Sequence, residues 1–128
     1  MMDIDELFEK PCWVIDFLPY QVKKDSEGRY FTIEEYFLEN RNLKEKFLDI
    51  ILKLNCYFDI VIDDVVNPDI ASFINKDDLN VLIRSRDCLL RISKDFTHMS
   101  VFNPDEEILK LLDQLARGAG LYLWRPNE

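Results

Sequence analysis

The chain has 128 residues and a formal net charge of −9, and 48% of its residues are hydrophobic. That length suits one domain covering residues 1–128, and the hydrophobic content excludes an intrinsically disordered chain. The acidic residues are spread along the whole sequence, and a negative field repels phosphate backbones. Nucleic acid is therefore not expected as a partner.

The N-terminal residues carry neither the basic stretch nor the apolar stretch of a signal peptide. The longest apolar runs are far shorter than the roughly 20 residues that cross a bilayer. We therefore predict a cytoplasmic protein that makes no membrane contact. Three widely separated cysteines, Cys12, Cys56 and Cys88, lie in or beside apolar runs, so we predict buried free thiols rather than disulfides or zinc ligands.

The first half of the sequence predicts a strand and three helices. In chain order these are a short helix (3–10), a strand (12–18), a polar loop (21–29) and two helices (32–39 and 42–54). Pro11 ends the first helix. Thr32 and Glu35 have the spacing of a capping box, which places the start of the second helix at Thr32.

The second half predicts five strands and two helices. In chain order these are a strand (57–62), a short helix (68–76), three strands (79–84, 88–93 and 97–102), a helix starting at Asn103 and a strand (121–124). The first of these strands is apolar enough to be placed in the centre of a sheet. Asn103 before Pro104 is typical of a helix start, and Gly118 or Gly120 is expected to end that helix. The predicted buried stripe of this helix comprises Ile108, Leu111, Leu112 and Leu115.

Short polar links join the three consecutive strands, which indicates an antiparallel meander. Separate runs of helices and strands are typical of the α+β class. We therefore predict an α+β fold with a mainly antiparallel sheet of about five or six strands and helices packed on one face.

An acidic group, Asp59, Asp63 and Asp64, lies in and just after the predicted central strand, with Asp69 nearby and Asp16 on a possible neighbouring strand. Carboxylates at a strand end can hold Mg²⁺ or act as an acid and base pair. The group lacks the glycine and the regular spacing of a calcium loop. Solvated loop acids are the favoured interpretation, and a metal site is the weaker one.

A second group combines basic and hydroxyl side chains on the predicted polar face of the sheet. Strand alternation places its members on one side. They are Arg84, Arg91, Ser93, His98 and Ser100. Such a group could bind a carboxylate or a phosphate, although a solvent-facing sheet surface would have the same pattern. A catalytic pair between His98 and one of the cysteines also stays open, because such partners can meet only in the fold.

Aromatic residues crowd the first 40 positions, and most of them are predicted to lie in the core. They are Trp13, Phe17, Tyr20, Tyr30, Phe31, Tyr36 and Phe37. Any exposed members would form a protein-binding patch, because tyrosine and tryptophan are enriched where proteins bind.

Several segments of the chain carry a family resemblance. They are 12–20 with Arg29, Tyr30 and Phe31, then 98–104, and then 120–126. In these segments the chain resembles a group of small uncharacterised proteins from anaerobic Gram-positive bacteria. The group has no assigned activity, so the resemblance implies a bacterial, cytoplasmic, stand-alone domain and transfers no functional residue.

The sequence contains no nucleophile elbow, phosphate loop or dinucleotide fingerprint. The favoured function is therefore a non-catalytic domain that binds another protein. An immunity- or antitoxin-like inhibitor of a basic toxin is the specific alternative, and a small-ligand or anion sensor or a small metal-dependent enzyme are the others. No cofactor is expected, and the sequence does not indicate which oligomeric state the protein has.

Overall fold

The structure is a computed structural model, and it describes residues 3–20, 22–40, 43–73, 78–92 and 98–126. Within these ranges the chain forms four α-helices and one seven-stranded sheet. The helices are α1 (Ile4–Leu7), α2 (Glu27–Asn40), α3 (Leu43–Asn55) and α4 (Glu106–Gly118). The strands are β1 (Cys12–Asp16), β2 (Val61–Ile62), β3 (Val65–Val66), β4 (Leu79–Ile83), β5 (Cys88–Ile92), β6 (His98–Phe102) and β7 (Tyr122–Trp124).

The strands are ordered β3-β2-β4-β5-β6-β1-β7, and every neighbouring pair is antiparallel. The predicted α+β class and the predicted meander, β4-β5-β6, are confirmed. The sheet has seven strands rather than five or six, because a two-residue hairpin adds β3 at one edge. Asp63 and Asp64 form the turn of that hairpin with φ angles of 52° and 65°, as a type I′ turn requires.

The main hydrophobic core lies between one face of the sheet and the helices α3 and α4. Phe47 and Ile51 of α3 and Leu112 of α4 are fully buried there against the inward-facing residues of the strands. The opposite face is covered in part by α1, whose buried Leu7 packs against Leu89 of β5 in a second, smaller cluster. We call this second side the outer face. Helices therefore contact both sides of the sheet.

Two predicted helix starts are wrong. The helix α2 begins at Glu27, and the Thr32 hydroxyl donates to the Gly28 carbonyl 3.1 Å away, inside the helix, instead of capping it. The N-cap of α4 is Asp105, whose Oδ1 accepts from the Ile108 N–H at 2.8 Å. Asn103 instead adopts a φ of 58° and donates its side-chain amide to the Asp87 carbonyl.

Two predicted elements between α3 and β4 are shorter than expected. The predicted strand over 57–62 is reduced to β2, which lies next to the edge strand β3 and not in the centre of the sheet. The predicted helix over 68–76 contains a 3₁₀ turn at Ile70–Phe73. Its last residues, 74–76, lie outside the described residues.

The end of α4 agrees with the sequence. Gly120 has a φ of 78° and follows the C-cap residue Ala119. The Gly120 N–H donates to the Arg117 carbonyl and the Leu121 N–H donates to the Ala116 carbonyl, the two bonds of a Schellman motif. Only glycine adopts this backbone conformation without a steric penalty, so the predicted stop at Gly120 is confirmed.

Candidate functional site

The described members of the predicted polar group lie at separated points on or beside the outer face. Arg91 of β5 is directly opposite Ser100 of β6, and His98 of β6 is directly opposite Asp16 of β1. Arg84 lies just past the end of β4, in a 3₁₀ turn. Ser93 lies outside the described residues.

Arg91 of this group and the nearby Arg86 already contact acidic or aromatic groups of the same chain. Arg91 lies 3.7 Å from the Asp78 carboxylate, and its guanidinium lies over the Phe8 ring at 5.7 Å. Arg86 donates to Asp105 at 2.9 Å and to Glu107 at 3.1 Å at the start of α4. These contacts orient both guanidinium groups toward the protein, so the geometry does not favour an anion site here.

The acidic group is divided between a loop and a turn. Asp59 accepts a hydrogen bond from the Asn67 side chain, whereas Asp63 and Asp64 occupy the β2-β3 turn beside Arg84. Asp16 is not their neighbour, because β4, β5 and β6 separate β1 from β2. Within the described ranges, no three His, Cys, Asp or Glu side chains are grouped closely enough to hold one ion.

The thiols are free in the structure, but they differ in exposure. Cys88 is buried as predicted, Cys12 is half-buried, and Cys56 is exposed, contrary to prediction. Burial raises the pKa of the Cys88 thiol to about 12, which disfavours a reactive thiolate. Cys12 pairs with Phe102, which lies four positions along β6 from His98. The Cys12 and His98 side chains are therefore too far apart for a catalytic pair.

A cavity of about 280 Å³ lies where β1 runs into the following segment and meets α2. We call it the Asp16 cavity. It is lined by Asp16, Tyr20, Val22, Lys23, Glu27, Tyr30, Phe31 and Trp124. A concave, largely apolar surface with a few polar groups is the usual form of a binding site.

Aromatic side chains form the walls of the Asp16 cavity. Tyr30 stacks on the buried Phe17 ring with centroids 5.9 Å apart, and Phe31 meets Tyr30 edge-on at 5.7 Å. On the other side, the Trp124 indole N–H donates to the Leu18 carbonyl at 2.9 Å, which holds this ring in place. The walls are thus set by contacts with the folded core.

The prediction that most of the early aromatic residues are core residues is only half correct. Trp13, Phe17 and Tyr30 pack against the main core. Tyr20, Phe31 and Tyr36 are exposed, with exposed fractions of 73%, 53% and 47%. The side chain of Phe37 lies outside the described residues. The exposed members lie on α2 or in the segment that precedes it.

Asp16 is the one buried charged residue among the described residues, with 9% of its surface exposed. One carboxylate oxygen accepts from the Phe17 N–H at 2.7 Å. Burial raises the pKa of Asp16 to about 6, an effect reinforced by the negative charge of Glu34 and opposed by the Phe17 hydrogen bond and His98. The carboxyl group is therefore mostly ionised at pH 7 and mostly neutral at pH 5.

This raised pKa predicts that Asp16→Asn stabilises the protein above pH 6. The folded pKa exceeds the value of about 4 in an unfolded chain, so the folded state binds the proton more tightly. The contribution of Asp16 to stability is then greatest below pH 4 and is lost as the pH rises to 6. We expect Asp16→Asn to raise the free energy of unfolding by about 1–2 kcal/mol at pH 7.5 and to change it little at pH 4.

Urea unfolding at the two pH values measures this difference. Asp49→Asn is the matched control, because it makes the same change in charge at an exposed site on α3. An increase in the free energy of unfolding from Asp16→Asn that is equal at both pH values, or that Asp49→Asn matches, would contradict the raised pKa of Asp16.

The sequence carries one signal for this site that belongs to no functional motif. Asp16 lies within an apolar run of the sequence, between Ile15 and Phe17, where a charged side chain is costly unless the fold gives it partners. The aromatic walls come from segments far apart in the chain, such as Tyr30 and Trp124, so no local spacing indicates them.

Comparison of the chain with models of known protein families, with curated proteins and with solved structures found no match. The predicted resemblance to small proteins of anaerobic Gram-positive bacteria therefore stays a prediction. None of the helices in the described ranges combines the length and the apolar character needed to cross a bilayer.

Proposed function

We propose that this chain is a non-catalytic protein-binding domain that recognises a basic partner through α2 and the Asp16 cavity. The observation that supports it most strongly is the exposure of Phe31, Ile33 and Tyr36 on α2, with Tyr20 beside them. Large apolar side chains that stay in water are costly unless a partner covers them.

The distribution of side chains on α2 explains why the fold leaves these residues exposed. Successive residues of a helix point about 100° apart, so Tyr30 and Phe31 lie on different sides. Tyr30 packs against the core, while Phe31 and Tyr36 do not enter it. No side chain of α2 in the described part is fully buried, and one sheet cannot cover apolar residues on several sides of a helix.

Charge indicates the kind of partner. The sequence of α2 holds four glutamates, at 27, 34, 35 and 39, against one base, Arg29. The whole chain carries a net charge of −9. A basic protein would be attracted to this surface, and an immunity- or antitoxin-like inhibitor of a basic toxin is a specific form of the proposal.

Affinity capture from the native host compares the wild-type chain with a Phe31→Ser, Tyr36→Ser double variant. We expect a basic protein to bind the wild type and to be lost with the double variant. Leu52→Ser is the matched control, because Leu52 is 47% exposed on α3 and its change removes a similar exposed apolar group. Capture that survives the double variant would contradict the proposed surface.

The captured protein is then purified, and its association rate is measured at low and high salt. Attraction between unlike charges is screened within roughly 8 Å at physiological salt, so we expect the rate to fall by roughly tenfold or more. An unchanged rate would argue against an acidic docking face. A dimer of the chain itself that the double variant breaks, seen by light scattering, would identify a second copy as the occupant instead.

A further inference from the structure

The lining of the Asp16 cavity contains a carboxylate and several aromatic rings. Asp16 is 9% exposed, and Tyr30, Phe31 and Trp124 stand around it. An aromatic face attracts a cation through its ring electrons, and a carboxylate accepts hydrogen bonds from that cation. A site built from both groups favours a positively charged ligand over a neutral or negative one.

The other charged groups around Asp16 also bear on the ligand. Glu34 of α2 adds negative charge near it, and Glu27 lies in the lining. Two basic side chains oppose this negative charge. His98 of β6 lies directly opposite Asp16 on the neighbouring strand, and Lys23 is an exposed residue of the cavity lining. The two glutamates and Asp16 outnumber these bases, so the field inside the cavity is negative at neutral pH.

We propose that the Asp16 cavity receives the guanidinium group of an arginine side chain on the partner protein, an inference that rests on the proposed function. Guanidinium is planar and more weakly hydrated than ammonium, so it stacks on aromatic rings and enters a half-closed site at lower cost. Its N–H groups donate to the Asp16 carboxylate, while its faces contact Phe31 and Trp124. The volume of about 280 Å³ is at the small end for a ligand site, which suits one side chain.

An NMR titration with N-acetyl-arginine methylamide tests the cavity without the partner. We expect saturable shifts at Asp16, Phe31 and the Trp124 indole. The citrulline analogue has nearly the same shape without the charge, and it should bind at least roughly tenfold more weakly. Equal binding of the two probes, or shifts that avoid the cavity, would overturn the proposal.

Two variants assign the binding to named groups. Asp16→Asn keeps the acceptor for the Phe17 N–H and removes the charge, and Phe31→Leu keeps an apolar group and removes the ring. Each should weaken arginine binding roughly tenfold or more, whereas the exposed Asp49→Asn should leave it unchanged. Wild-type binding should also weaken from pH 7.5 to pH 5, as Asp16 takes up a proton. An Asp16→Asn protein that is folded by circular dichroism and binds the probe normally would overturn the proposal.

These results separate the inference from the proposed function. Loss of probe binding in the wild type, together with capture of a basic partner that depends on Phe31 and Tyr36, would refute the arginine site alone. Probe binding that requires Asp16, together with no partner on α2, would support the cation site and refute the docking surface.

Discussion

Removing residues 119–128 is expected to abolish cooperative unfolding or to make the protein insoluble. The deletion removes β7, which pairs with β1 through Leu123 opposite Ile15 and Trp124 opposite Val14. It also removes Leu121, which is 1% exposed. Exposing an apolar strand edge together with part of the core invites association between chains.

A shorter deletion provides the control. Ending the chain after Trp124 removes residues 125–128, of which Arg125 and Pro126 are described and lie beyond β7 and outside the main core. This protein should melt cooperatively, close to the temperature of the full chain, when followed by circular dichroism. Similar melting of the longer deletion would show that β7 is dispensable for folding.

Leu112→Ala in α4 is expected to lower the free energy of unfolding by about 2–5 kcal/mol. Leu112 has no exposed surface and lies in the main core between α4 and the sheet. The change removes buried apolar surface and leaves a cavity that the neighbouring side chains can only partly fill. Because a small domain is stabilised by about 5–15 kcal/mol, this one change could remove a large part of the total.

Urea unfolding measures this loss, and the slope of the transition should stay unchanged if the native state keeps its structure. Leu52→Ala is the control, because it makes the same chemical change at a half-exposed position on α3. It should shift the free energy by no more than about 0.5 kcal/mol. Equal losses in the two variants would show that Leu112 is not a core residue.

The sequence predicted best those elements whose apolar side chains follow one simple period. The helix α4 carries Ile108 and Leu112 on one side, and both are fully buried. Strand β6 alternates between buried Met99 and Val101 and half-buried polar neighbours, as the predicted strand does. In these elements the local pattern and the tertiary packing agree.

The errors arise where two local signals compete. Asn103 and Asp105 are both good capping residues. Asp105 caps α4 because Asn103 donates hydrogen bonds to the carbonyls of Pro11 and Asp87 instead. Thr32 looks like a cap, but α2 starts at Glu27 and includes it. In both cases the deciding contacts lie outside the local pattern, so spacing alone does not select the right residue.

The candidate site was only partly visible in the sequence. Asp16 was already named as a possible neighbour of the acidic group, and the cluster of early aromatic residues was apparent. The pairing of β1 with β6 and β7 could not be predicted from local patterns, because it joins distant parts of the chain. That pairing places His98 opposite Asp16 and brings Trp124 into the lining of the Asp16 cavity.

The place of β1 in the sheet also determines how this chain reaches its native state. Its partners β6 and β7 lie roughly 80 to 110 residues further along the chain, so long loops must close before β1 is paired. Such non-local topology is typical of folding over milliseconds to seconds. At about 5–20 residues per second, a ribosome takes several seconds to deliver those partners. Trp13, Val14 and Ile15 spend that interval as an unpaired apolar segment, open to chaperones and to aggregation.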